Sequence, residues 1–152
     1  MYETEERELL GALGSVILDI EHIGSTSVPG LAAKPLIDII VSVSSLNDYK
    51  KAIKPLEALG YEYMPERVFS DRVFFPKGPG ENRTFHLSLV EKNSKQWTET
   101  LIFRDYLRSH PQKRDEYMNL KEDLAQRFAD DRKSYTEGKD AFIKSVLVLA
   151  AK

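Results

Sequence analysis

Eight residues, Leu36 to Val43 (LIDIIVSV), constrain the fold of this chain more than any other stretch. The run is nearly continuous in aliphatic residues. Such a strand is buried on both faces, which requires partner strands along its edges and a layer above and below the sheet. It therefore predicts the middle of a sheet. The run carries one acid, Asp38. An unpaired carboxylate among apolar groups is expensive, so a metal, a cation or strong hydrogen bonds must meet it.

The surrounding sequence supplies the rest of such a sheet. Glu3, Glu5, Glu6 and Glu8 precede Leu9, Leu10 and Leu13, which predicts a first helix with its acids at the positive end of the dipole. Gly14 stops it, and Val16 to Ile23 (VILDIEHI) reads as a strand broken by Gly24-Ser25. Ser45 and Asp48 form a capping box before Tyr49, Ala52, Ile53 and Leu56, with Pro55 expected to kink or restart the helix. Tyr61 to Met64 reads as a short strand. Arg72 to Pro76 and Arg83 to Val90 flank a turn at 77–82 and read as a hairpin. In the last strand Phe85, Leu87 and Leu89 share one side, His86 and Ser88 the other.

After residue 91 nearly everything reads as helix. Phe103, Tyr106, Leu107 and His110 fall at helical spacing, Pro111 opens a further helix carrying Tyr117, Leu120 and Leu124, and His110 is a cap. Ser134 and Glu137 form a second capping box, before Phe142, Ile143, Val146 and Leu147. Trp97, Phe103, Tyr106, Tyr117 and Phe142 read as core, and Arg104 with Asp105 as solvated surface. With 152 residues and no cysteine, a disulfide framework, a zinc-thiolate site and a cysteine nucleophile are excluded. The balance of 22 Lys+Arg and 24 Asp+Glu argues against wholesale coating of nucleic acid. No apolar run reaches the roughly 20 residues of a membrane span. The acidic N-terminus lacks the order of a secretion signal, so a cytoplasmic protein is expected.

The chemistry concentrates in His22 to Val43. Gly24 lets backbone approach a ligand, and Ser25, Thr26 and Ser27 add hydroxyls and N–H groups suited to an anion. Asp38 could equally be a structural acid paired with Lys34 or His22. Lys139 shares a helical face with Phe142 and Val146, so an inward lysine there needs an acid or a bound phosphate. Lys34 is a second candidate phosphate ligand. His22, Asp38 and His86, each on a different strand, would form a competent set for Zn²⁺, Fe²⁺ or Mn²⁺ if they converged.

Ile23-Gly24-Ser25, twelve residues and then Asp38-Ile39-Ile40-Val41 resemble the nucleotidyltransferase superfamily signature. The longer motif EHIGSTSVPGLAAKPLIDI, with FHLSLVE, FRDYLRSHP and YTEGKDAFI, resembles the GrpB family of small nucleotidyltransferase-like proteins, also found fused to dephospho-CoA kinase. The resemblance implies an α/β (α+β) domain over 1–152, a mixed β-sheet with flanking helices and a helical C-terminal part. It implies a nucleotide or other phosphate ester as partner and metal-dependent nucleotidyl transfer as reaction. Gly24, Ser25, Thr26, Ser27, Lys34 and Lys139 would hold phosphates, Asp38 would hold Mg²⁺, and His22 and His86 would orient substrate or supply a base.

One position departs from that pattern. Where the superfamily places its second acid, this chain has Ile40, on the same strand face as Asp38. A non-catalytic binding or regulatory module that kept the phosphate pocket, and a metal-dependent hydrolase using His22, Asp38 and His86, are therefore also expected readings.

Overall fold

The computed structural model describes residues 2–24, 27–28, 36–78 and 83–152, with the side chain of Arg132 left aside. Among these residues four strands form one mixed sheet in the order β1-β2-β4-β3. They are β1 (Ile17–Ile23), β2 (Ile37–Val43), β3 (Val73–Lys77) and β4 (Phe85–Glu91). β1 runs antiparallel to β2, β2 parallel to β4, and β3 antiparallel to β4. The apolar run thus lies inside the sheet, as its sequence requires.

Among the described residues five α-helices cover the sheet: α1 (Tyr2–Leu13), α2 (Tyr49–Ala58), α3 (Lys95–Ser109), α4 (Pro111–Arg127) and α5 (Arg132–Ala150). None is long and apolar enough to cross a membrane. Alternation along β2 sends Ile37, Ile39, Val41 and Val43 into a core shared with Leu9 and Leu13 of α1 and Ala52 and Leu56 of α2. Phe75 of β3 and Leu87 and Leu89 of β4 complete it, all without exposed surface. Asp38, Ile40 and Ser42 point to the opposite face, where α3 meets β1 and β4, and α4 and α5 pack against α3. Gly138 permits part of that packing, because a Cβ there would lie 2.8 Å from Leu124 Cδ2.

Several boundaries differ from the sequence expectation. The helix through Pro55 is a single element, Tyr49–Ala58. Ser45 and Asp48 do form a capping box, on the 3₁₀ turn that leads into it. Tyr61 to Met64 is no strand; only Tyr61 makes a bridge, to Lys77, and Pro65 opens a 3₁₀ turn directly after Met64. α5 starts at Arg132 rather than at a Ser134 cap. Its N-cap is Asp131, whose carboxylate accepts hydrogen bonds from Ser134 N at 3.1 Å and Ser134 Oγ at 2.6 Å. The expected hairpin is present, though 79–82 of its turn lie outside the described residues.

Candidate functional site

The register of the parallel pair sets Asp38 beside His86 on the same sheet face. His86 Nδ1 lies 3.6 Å from Asp38 Oδ1, and both side chains are about one third exposed, at 28% and 34%. The other side of His86 meets the Phe74 ring edge-on, with centroids 4.9 Å apart. Gly24 closes the end of β1 against the same carboxylate. Its φ is +76°, and a Cβ there would lie 2.9 Å from Asp38 Cβ and on the carboxylate oxygen itself. Only glycine fits both the backbone angle and the space.

Asp38 and Gly24 head a cleft of about 860 Å³ between the sheet and α3, α4 and α5. This volume suits a small organic ligand. Six cationic side chains line it (Arg72, Lys95, Arg104, Lys121, Lys139 and Lys144), against four acids. The whole chain carries −2, so the cleft concentrates positive charge that the rest of the molecule lacks. Among the described residues Lys139 makes no ion pair; its ammonium stands 5.8 Å over the Tyr135 ring.

α3 fastens the end of β1 and Ser27. Arg104, only 9% exposed, donates to Glu21 Oε1 at 2.6 Å, to the His22 carbonyl at 3.0 Å and to Asp105 Oδ1 at 2.9 Å. Arg108 donates to the Ser27 carbonyl at 2.8 Å. Ser27 is buried, and its hydroxyl donates to the Gly24 carbonyl at 2.6 Å. Arg104 is therefore not the solvated surface residue that its neighbour Asp105 suggested; two of its three partners lie 82 and 83 positions away in sequence. The only local signal was its spacing from Leu107 and Arg108 on one helical face.

His22 goes elsewhere. It pairs with Ile39 in the β1–β2 register and so faces the α1–α2 core, stacked on Tyr2 with centroids 4.6 Å apart. Burial, and then the Arg108 charge, lower its pKa below the usual 6.5. The cause of this placement is a register shift between Ile17 and Asp19, which inverts the alternation beyond it. Asp19, Glu21 and Ile23 now share the cleft side, while Ile20 and His22 take the core side. The three-ligand set of His22, Asp38 and His86 is consequently not assembled. Among the described residues no cluster of three His, Asp or Glu side chains could hold a metal ion. Ile40, 2% exposed, occupies the place a second acid would need, so the residues present do not fit a two-metal protein cage.

Ser25, Thr26 and Lys34 lie outside the described residues. His110 closes α3, its Nδ1 2.9 Å from the Tyr106 carbonyl and its ring stacked on Tyr106. Phe103, Tyr117 and Phe142 pack together as core beneath the cleft, with Val28 and Leu107.

Fold and site together define a mixed α/β domain with one dry sheet face and one charged cleft. A family model described as GrpB protein matches residues 1–148, and the chain belongs to the GrpB family. It is 41% identical to the conserved protein GrpB from Enterococcus faecalis, whose crystal structure it matches with a TM-score of 0.83 over 97% of this chain and 88% of that one. It is 40% identical to a UPF0157 protein of Pseudomonas aeruginosa over 96% of this chain. The chain spans 61% of that relative's length. A weaker similarity, 27% identity over 88% of this chain, extends to 39% of a dephospho-CoA kinase of Mycolicibacterium paratuberculosis.

Proposed function

We propose that the cleft binds a nucleotide or another phosphate ester, presented with Mg²⁺. The observation that carries this reading is the junction of Gly24 and Asp38 at the head of a cleft lined by six cations. Phosphate oxygens would face Lys139 and the backbone at Gly24. A Mg²⁺ ion arriving with the ligand keeps several waters and needs only one or two protein carboxylates, so Asp38 suffices for it. Similarity to 39% of a protein named dephospho-CoA kinase supports the same reading.

The test is calorimetric titration with each of the four nucleoside triphosphates and Mg²⁺. Saturable binding of at least one is expected, weakened about fivefold or more by Lys139→Ala through loss of one phosphate contact. No heat from any of the four at millimolar concentration contradicts the reading.

A second reading, nucleotidyl transfer, is favoured by one contact: His86 beside Asp38 offers a base within reach of a metal-bound phosphate. Ile40 weighs against it, since one protein carboxylate is left where two would hold the metal ions that neutralise charge on the attacking and leaving oxygens. Pyrophosphate release decides between them. The binding reading expects none from wild type; turnover that Asp38→Asn abolishes would establish transfer.

A further inference from the structure

The lining of the cleft is chemically mixed. Beside Asp38, Gly24 and Lys139 it carries the apolar side chains of Val28, Phe103, Leu107 and Ile143 and the ring of Tyr117. An inorganic polyphosphate would leave those apolar side chains facing water. A sugar phosphate would find hydroxyl partners such as Gln96, Thr100 and Thr136 but would leave the same apolar side chains uncovered.

Tyr117 is the exception among these apolar groups. Its side chain is held between the edge of Phe103, 5.1 Å away between centroids, and the stacked ring of Phe142 at 5.4 Å, and the residue is 8% exposed. Among the described residues its hydroxyl makes no hydrogen bond, yet it is not a sealed atom, because the one fully enclosed orphan oxygen among them is Ser42 Oγ. Buried phenols ordinarily find a partner. Burial, followed by the charges of Tyr135, Asp140 and Asp38, raises its pKa, so it remains a neutral O–H at any physiological pH. Lys121 Nζ stands 5.3 Å from the centroid of the Tyr117 ring, so the hydroxyl rather than the ring face is what Tyr117 offers a ligand.

We infer that the apolar lining of the cleft seats a flat heterocycle and that the Tyr117 hydroxyl hydrogen-bonds its edge, so that the ligand is a nucleotide rather than a simpler phosphate ester. The inference rests on the phosphate-binding reading above and adds to it a specificity residue. A heterocycle offers both an apolar face for Phe103 and Ile143 and an edge acceptor or donor for the phenol. A site that hydrogen-bonds one group of its ligand rejects analogues that lack it, because the buried partner is then left unpaired.

The experiment titrates wild type and Tyr117→Phe with three probes: the best-binding magnesium nucleoside triphosphate, magnesium tripolyphosphate and ribose 5-phosphate. The phenylalanine keeps the packing against Phe103 and Phe142 and removes only the hydroxyl. Wild type is expected to bind the nucleotide at least about tenfold more tightly than tripolyphosphate or ribose 5-phosphate. Tyr117→Phe should weaken the nucleotide about three- to tenfold and leave tripolyphosphate unchanged. Equal affinity of wild type for nucleotide and tripolyphosphate overturns the inference while the phosphate reading stands, and it does so even if the variant fails to fold. Unchanged nucleotide affinity in a folded Tyr117→Phe variant also overturns it. Absence of binding by all three probes removes the phosphate reading and this inference together.

Discussion

The two faces of the central sheet are made by alternate residues of the same strand, yet they do different work. Ile37, Ile39, Val41 and Val43 enter a dry core under α1 and α2. Asp38, between the first two, faces a charged cleft under α3, α4 and α5. Polar groups also differ between the faces. On the core side Glu5, 4% exposed, is fully met: Tyr61 Oη donates to it at 2.6 Å and Lys77 Nζ at 2.8 and 3.0 Å. On the cleft side Lys139 has no acid partner among the described residues, and Asp38 has a histidine only at 3.6 Å. Arg104 on the cleft side is met by Glu21, Asp105 and the His22 carbonyl, whereas Lys139 and Asp38, held short of partners, mark that side as open to a ligand.

The sharpest break between the faces should come from the core. Leu87→Ala removes a side chain with no exposed surface, and the cavity should cost about 3 kcal/mol, read as a lower urea midpoint. Affinity for a magnesium nucleotide, measured under conditions where the variant is folded, should stay within about twofold of wild type. A comparable affinity loss would show that the faces are not separable.

Gly24→Ala acts at their boundary. The positive φ and the clash with Asp38 should cost about 2 kcal/mol and also displace the carboxylate, so both the urea midpoint and nucleotide binding fall. Asp38→Asn should move stability by less than about 0.5 kcal/mol, since the group is one third exposed, while weakening the magnesium-dependent part of binding. Retention of full affinity by Asp38→Asn in Mg²⁺ would remove Asp38 from the site.

The smallest effect is a pH dependence on the core side. The folded pKa of His22 lies below its usual 6.5, so the unfolded chain binds more protons as pH falls through that value. The stability this group contributes is present above about pH 6.5 and is lost as pH drops towards the folded pKa. His22→Phe keeps the stack on Tyr2 and should flatten that part of the profile of melting temperature against pH.

Much of this division was legible in the chain itself. The apolar run around Asp38 required a central strand, and alternation in FHLSLVE set His86 apart from Leu87 and Leu89. His22 escaped the same rule because one extra residue near Leu18 inverts the phase of β1, and nothing in VILDIEHI distinguishes a bulged strand from a regular one. Arg104 escaped because its partners, Glu21 and the His22 carbonyl, are brought to it only by packing of α3 on the sheet. The short strand expected at Tyr61 failed since Pro65 ends the extended segment before a ladder can form.

The division of the sheet faces can be read from the chain's three histidines, which occupy three separate environments. His86 flanks Asp38, His22 stacks under α1, and His110 caps α3. Ring C–H resonances of all three, assigned by substitution and followed by NMR during titration with a magnesium nucleoside triphosphate, report each environment at once. A saturable shift of the His86 resonance is expected, with those of His22 and His110 stationary. A shift confined to His22, or three resonances that stay in place at millimolar nucleotide, would contradict it.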